Sequence, residues 1–140
     1  MSSTNWPRQE RQKAKGKMQK EDPAKPQDLR ERTYDYARRV IRLFRALPKD
    51  DVGKTLGRQL LRSGTSVGAN YREAARSRSK AEFISKLGDC LKEIDESDYW
   101  LGLIEDEKVM AAPKLQPLRQ ETKELTAIFV SSLNTAKDRP

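Results

Sequence analysis

Few side chains in this sequence could do covalent chemistry, and each meets an objection. The one cysteine, Cys90, has no histidine to activate it, because the chain contains none. It falls near the apolar face of a helical pattern and reads as a small buried hydrophobe. The absent histidine also removes Ser-His and Cys-His pairs, zinc sites built from Cys and His, and the Glu-x-x-His pairs with which helical bundles hold two irons or manganeses. Gly53-Lys54-Thr55 has the ending of a phosphate loop, but Pro48 stands where that motif needs its first glycine, and no strand precedes it. Glu93 with Glu96, or Asp95 with Asp98, could hold a magnesium-like ion weakly. A solvated or salt-bridged helix face is the simpler reading of carboxylates at that spacing. No catalytic, cofactor-binding or metal residue is assigned, and the chain reads as a non-enzyme.

What remains is charge. The net charge is +8, with 36% of residues charged. Half of that excess sits in residues 1–27, where Arg8, Arg11, Lys13, Lys15, Lys17, Lys20 and Lys25 outnumber Glu10, Glu21 and Asp22. Pro7, Pro23, Pro26 and the lack of any apolar period make this a disordered basic arm, with Trp6 its one sticky residue. Cationic side chains that neutralise phosphates release counterions, which gives sequence-independent affinity for RNA or DNA. The candidate phosphate contacts are Lys13, Lys15, Lys17 and Lys20 in the arm and Arg38, Arg42 and Arg45 beyond it. No apolar run is long enough to span a bilayer and no secretory leader is recognisable, so the expectation is a cytoplasmic protein without a membrane partner.

Residues 28–136 carry the elements that would position those charges. Four amphipathic stretches, at about 28–47, 51–76, 80–107 and 114–135, repeat apolar residues at three-and-four spacing. Asp28 with Glu31 and Ser79 with Glu82 read as helix-starting capping pairs, and Asp50 or Asp51 begins the second helix. Pro48 ends the first helix, the carboxylates Glu105, Asp106 and Glu107 mark a frayed end of the third, and Pro117 falls in the first turn of the fourth. With short connections, such helices bury their stripes only against one another. The fold class is all-α, an antiparallel up-down four-helix bundle.

The second and third helices carry two further patterns. At about 100° per residue, Gly57, Gly64 and Gly68 line one groove, and Arg58, Arg62 and Arg72 form a basic rail beside it. Glu93, Glu96 and Trp100 share a wedge of the third helix. Helical glycines cost about 1 kcal/mol each relative to alanine, so three in one groove imply a closely pressed backbone. Opposed rails on adjacent helices suit identical subunits placed head to tail. These residues are the candidate subunit interface of a homo-oligomer. An alternative is a scaffold for a separately encoded enzyme, with Trp6 or Trp100 at the contact.

Leu60-Leu61-Arg62-Ser63, Ser66-Val67-Gly68-Ala69-Asn70, Glu73-Ala74, Ser79, Phe83-Ile84, Leu87, Lys92-Glu93, Glu96 and Tyr99-Trp100-Leu101 resemble the bacterial four-helix-bundle proteins encoded in intervening sequences of large-subunit ribosomal RNA genes. The match is specific over about 54–104, with Gly64 and Cys90 as departures toward other small residues. The resemblance implies a four-helix subunit in a ring of five. It extends more distantly to the accessory protein of diversity-generating retroelements, which implies a basic pentamer with nucleic acid and a reverse transcriptase as partners. No catalytic residues and no cofactor come with the family.

Overall fold

The structure, a computed structural model, describes residues 29–138, and every regular element among them is helical. The helices are α1 (Leu29–Ala46), α2 (Asp51–Ala75), α3 (Lys80–Asp106) and α4 (Ala112–Asp138). The basic arm at 1–27 and the Asp28 cap lie outside the described residues.

Local chemistry sets the boundaries. After Ala46 the chain turns through Pro48, and the Asp50 side chain accepts from the Gly53 backbone N–H at 2.8 Å, which satisfies one free donor at the start of α2. Gly53 is required here: a Cβ at that position would run into the Pro48 carbonyl. Ser79 caps α3 by accepting from the Glu82 N–H at 3.1 Å. Glu82 reaches back as expected, but one residue further out, accepting from the Arg78 N–H at 3.0 Å. Helix α4 begins at Ala112, two residues earlier than the spacing of its apolar stripe suggests, so Pro117 lies inside the helix rather than in its first turn.

The end of α3 is not frayed. The Val109 N–H donates to the Ile104 carbonyl at 2.9 Å and the Lys108 N–H to the Glu105 carbonyl at 3.0 Å, the two bonds of a Schellman closure. Lys108 takes the left-handed position, at φ 55°, where glycine is the usual residue. Replacing Lys108 by glycine is expected to stabilise the protein by about 1 kcal/mol, since a β-carbon in that region is strained. A chemical-denaturation midpoint that fell in K108G would contradict this.

Consecutive helices are neighbours: α2 packs against α1 and α3, and α3 against α4, whereas α1 and α4 meet sparsely. Leu60 and Val67 of α2, Leu87, Ile94, Leu101 and Ile104 of α3, and Leu125 and Phe129 of α4 are fully buried. Each such side chain contributes roughly 1.5–3 kcal/mol by leaving water. Cys90 lies in this core, and burial raises its thiol pKa, which keeps the sulfur protonated and unreactive.

A layer of hydroxyls crosses the apolar centre. Tyr36 of α1 meets Thr122 of α4 at 2.7 Å, and Ser63 of α2 meets Ser97 of α3 at 2.8 Å. The Ser97 hydroxyl also acts on the Tyr36 phenol, favouring its ionised form, so all four helices enter one polar layer. Each buried hydroxyl needs a partner at that level, which makes the layer a pin for the register of the bundle. Burial pushes the Tyr36 phenol up to about 12, with the bond to Thr122 and the nearby Ser97 hydroxyl opposing it in part. The folded pKa is above the ordinary value near 10, so this contribution is complete below about pH 10 and is lost as pH rises towards 12. Wild type is expected to lose about 2–3 kcal/mol through that window by this route. Urea titrations of Tyr36→Phe across the same window should lack that component; equal alkaline losses in both proteins would refute the assignment.

Candidate nucleic-acid interface

The cationic side chains are placed by α1 and α2. Helix α1 carries Arg30, Arg32, Arg38, Arg39, Arg42 and Arg45 against only Glu31 and Asp35. Its buried residues Leu29, Thr33, Tyr36 and Val40 fix the inner face, which leaves Arg38, Arg42 and Arg45 outward and exposed. None of these three has an ion-pair partner among the described residues. Arg32 differs. It points at α4, with its guanidinium 2.6 Å from Glu121 and 3.0 Å from Glu124. Partial burial works against its charge, but the two carboxylates outweigh that and raise its pKa overall. Arg32 thus ties α1 to α4, and no other arginine of α1 forms an ion pair among the described residues.

Helix α3 has the opposite character, with Glu82, Asp89, Glu93, Asp95, Glu96, Asp98, Glu105 and Asp106 against Lys80, Lys86 and Lys92. Arg119 of α4 takes up Glu105 at 3.0 Å and Asp98 at 3.6 Å, and its pKa is raised chiefly by the Glu105 hydrogen bond. Asp89, Asp95 and Asp106 have no ion-pair partner among the described residues. Since α1 and α3 lie on either side of α2, the bundle is cationic on one flank and anionic on the other.

Three of the residues expected at a subunit interface are covered within one chain instead. Gly57, Gly64 and Gly68 are buried, and what presses against them belongs to the same chain: side chains of α1 and Leu47 at Gly57 and Gly64, and the α1 backbone at Gly68. A Cβ at Gly64 would stand 2.7 Å from Val40 Cγ2, one at Gly68 would stand 3.2 Å from the Thr33 carbonyl oxygen, and one at Gly57 would touch Phe44 and Leu47 at 3.0 Å. The groove does accept a close neighbour, but that neighbour is internal. The rails also meet within one chain: Arg62 pairs with Glu96 and, at 3.4 Å, with Glu93. Trp100 donates its indole N–H to Glu96 at 3.2 Å and stands edge-on to Tyr99 at 4.9 Å. Arg62 is half exposed, so these pairs are worth about 0.2–1 kcal/mol each. Of the expected interface set, Arg58 is exposed and has no ion-pair partner among the described residues, and Arg72 lies with its guanidinium 5.5 Å from the Tyr34 ring. Lys13, Lys15, Lys17 and Lys20 fall outside the described residues.

Tyr34 was not legible as a site residue, although its place four residues before Arg38 was a signal. Among the described residues, no three His, Cys, Asp or Glu side chains cluster as metal ligands, and no helix is long and apolar enough to cross a membrane.

Fold and surface together define an all-helical bundle protein with one cationic flank. The chain belongs to the family of 23S rRNA-intervening sequence proteins, whose family model matches residues 25–131. The same fold occurs in the crystal structure of a protein with unknown function from the S23 ribosomal protein family of Bacteroides thetaiotaomicron VPI-5482. That chain is 31% identical, with a TM-score of 0.71 over 75% of this chain and 97% of the other. No curated protein matches.

Proposed function

We propose that this protein is a non-enzymatic homo-oligomer, a ring of five subunits, that binds nucleic acid, RNA in the first place, through its cationic flank and its basic arm. The observation that carries the reading is the set Arg38, Arg42 and Arg45, outward on α1 and without carboxylate partners among the described residues. Arginines with structural duties on this bundle are paired, as Arg32 and Arg119 are; these three are free for phosphates. Self-assembly is supported by the opposed charges of the two flanks, which head-to-tail contacts between copies would match.

The test is a mobility-shift titration of mixed-sequence RNA with the full chain in about 50 mM salt. Wild type should retard the RNA, and the triple variant Arg38→Ala, Arg42→Ala, Arg45→Ala should bind at least about ten-fold more weakly, at an unchanged helical circular-dichroism signal. RNA that runs free at every concentration of wild type would end the reading. Light scattering tests the ring, which has a mass of about five 16.1 kDa chains.

A second reading, an accessory subunit for a separately encoded enzyme such as a reverse transcriptase, is favoured by Tyr99, 60% exposed beside Trp100. An enzyme that co-purifies with wild type but not with Tyr99→Ala would support it.

A further inference from the structure

We propose that the seam between α1 and α2 holds a single-stranded nucleic acid, with one base stacked on the Tyr34–Arg72 pair; this rests on the nucleic-acid reading above. The seam is built by the glycines. Gly68 lies against Thr33, Gly64 against Val40, and Gly57 against Phe44 and Leu47, so α1 and α2 run antiparallel at close approach along most of α1. Side chains that flank this contact line are brought together along one surface.

At about 100° per residue, Tyr34, Arg38 and Arg45 fall within about 40° of one another on the outer face of α1, and Tyr34 is the one of the three nearest the line of contact with α2. Arg72 of α2 faces the first of them, its guanidinium 5.5 Å from the Tyr34 ring centroid. The other two continue the track for roughly 16 Å, eleven residues at 1.5 Å each. Glu31 and Asp35, the carboxylates of α1, both lie in its first two turns. A polyanion anchored at Tyr34 therefore runs towards Arg45, away from those acids.

Tyr34 decides the kind of nucleic acid. It is 57% exposed although aromatic, and it packs into no core. A phenol ring held by a planar guanidinium is oriented in advance, and both groups offer a flat face to a base. In a duplex every base is already stacked between its neighbours and a ring on a protein surface adds nothing. In a single strand the bases are free, and an aromatic beside a cationic track is the arrangement that captures them.

The experiment is fluorescence anisotropy of the full chain with a labelled single-stranded RNA and with the duplex of the same sequence, at several salt concentrations. Wild type should prefer the single strand. Tyr34→Ala should weaken single-strand binding about ten-fold, leave duplex binding unchanged and leave the salt dependence unchanged, while Tyr34→Phe keeps the wild-type affinity. Arg38→Ala with Arg45→Ala should instead weaken both ligands and flatten the salt dependence. Preference for the duplex, or single-strand binding indifferent to Tyr34→Ala, overturns the proposal and leaves the nucleic-acid reading standing. Wild type that binds neither ligand overturns both.

Discussion

Raising the salt from about 50 to about 200 mM is expected to weaken nucleic-acid binding by about a thousandfold. The estimate follows from counting contacts. Arg38, Arg42 and Arg45, with Lys13, Lys15, Lys17 and Lys20, make seven candidate phosphate contacts. On a single strand each contributes about −0.7 to the slope of log affinity against log salt, so the total slope is about −5. The triple arginine-to-alanine variant should have a slope shallower by about 2, because three released counterions disappear from the balance. Anisotropy titrations at four salt concentrations measure both. A slope near zero would mean that phosphates are not what these arginines meet, and the cationic flank would then need another ligand. An unchanged slope in the triple variant would move the contacts to the arm.

Gly64→Leu is expected to destabilise the bundle by about 3 kcal/mol, while Gly88→Ala stabilises it by about 1 kcal/mol. Both glycines lie inside helices, and intrinsic propensity would favour both replacements. Packing separates them. A Cβ at Gly64 already stands 2.7 Å from Val40 Cγ2, and a leucine there would push α1 off the groove, whereas a Cβ at Gly88 meets nothing within 4 Å. Thermal melts should show shifts of opposite sign, about 12 °C down and about 4 °C up. The loss at Gly64 should also couple to its neighbour: Val40→Ala added to Gly64→Ala ought to recover part of the damage, because the two side chains compete for one space. Two independent, additive losses would show that α1 does not lie in the groove as described.

The close seat of α1 on α2 has a consequence for assembly. A groove already filled cannot receive another copy, so subunits of the proposed ring would meet on surfaces that the bundle leaves open. Asp89, Asp95 and Asp106 on α3 and Arg58 on α2, without ion-pair partners among the described residues, form such surfaces, and they carry opposite charge. Charge therefore remains the argument for a head-to-tail ring, whereas the glycines no longer contribute to it.

Residue order alone determined the helices. Apolar spacing, the Asp50 and Ser79 caps and the break at Pro48 act within one or two turns of chain, and the observed boundaries lie close to those expected. It also determined that Gly57, Gly64 and Gly68 need a closely pressed neighbour, because a glycine stripe exposes main chain whatever covers it. Tertiary structure alone decided what covers it, since α1 and a second copy are equally acceptable to a bare groove. The same holds for the rails: Arg62 could reach carboxylates in its own chain or in another, and only the packing of α2 on α3 put Glu93 and Glu96 within reach. The hydroxyl layer was hidden for the same reason, as Tyr36, Ser63, Ser97 and Thr122 are far apart in sequence and acquire a common level only when four helices align. Local order is written in neighbouring residues, but which of several suitable surfaces meet depends on contacts between helices, and those exist only in the folded chain.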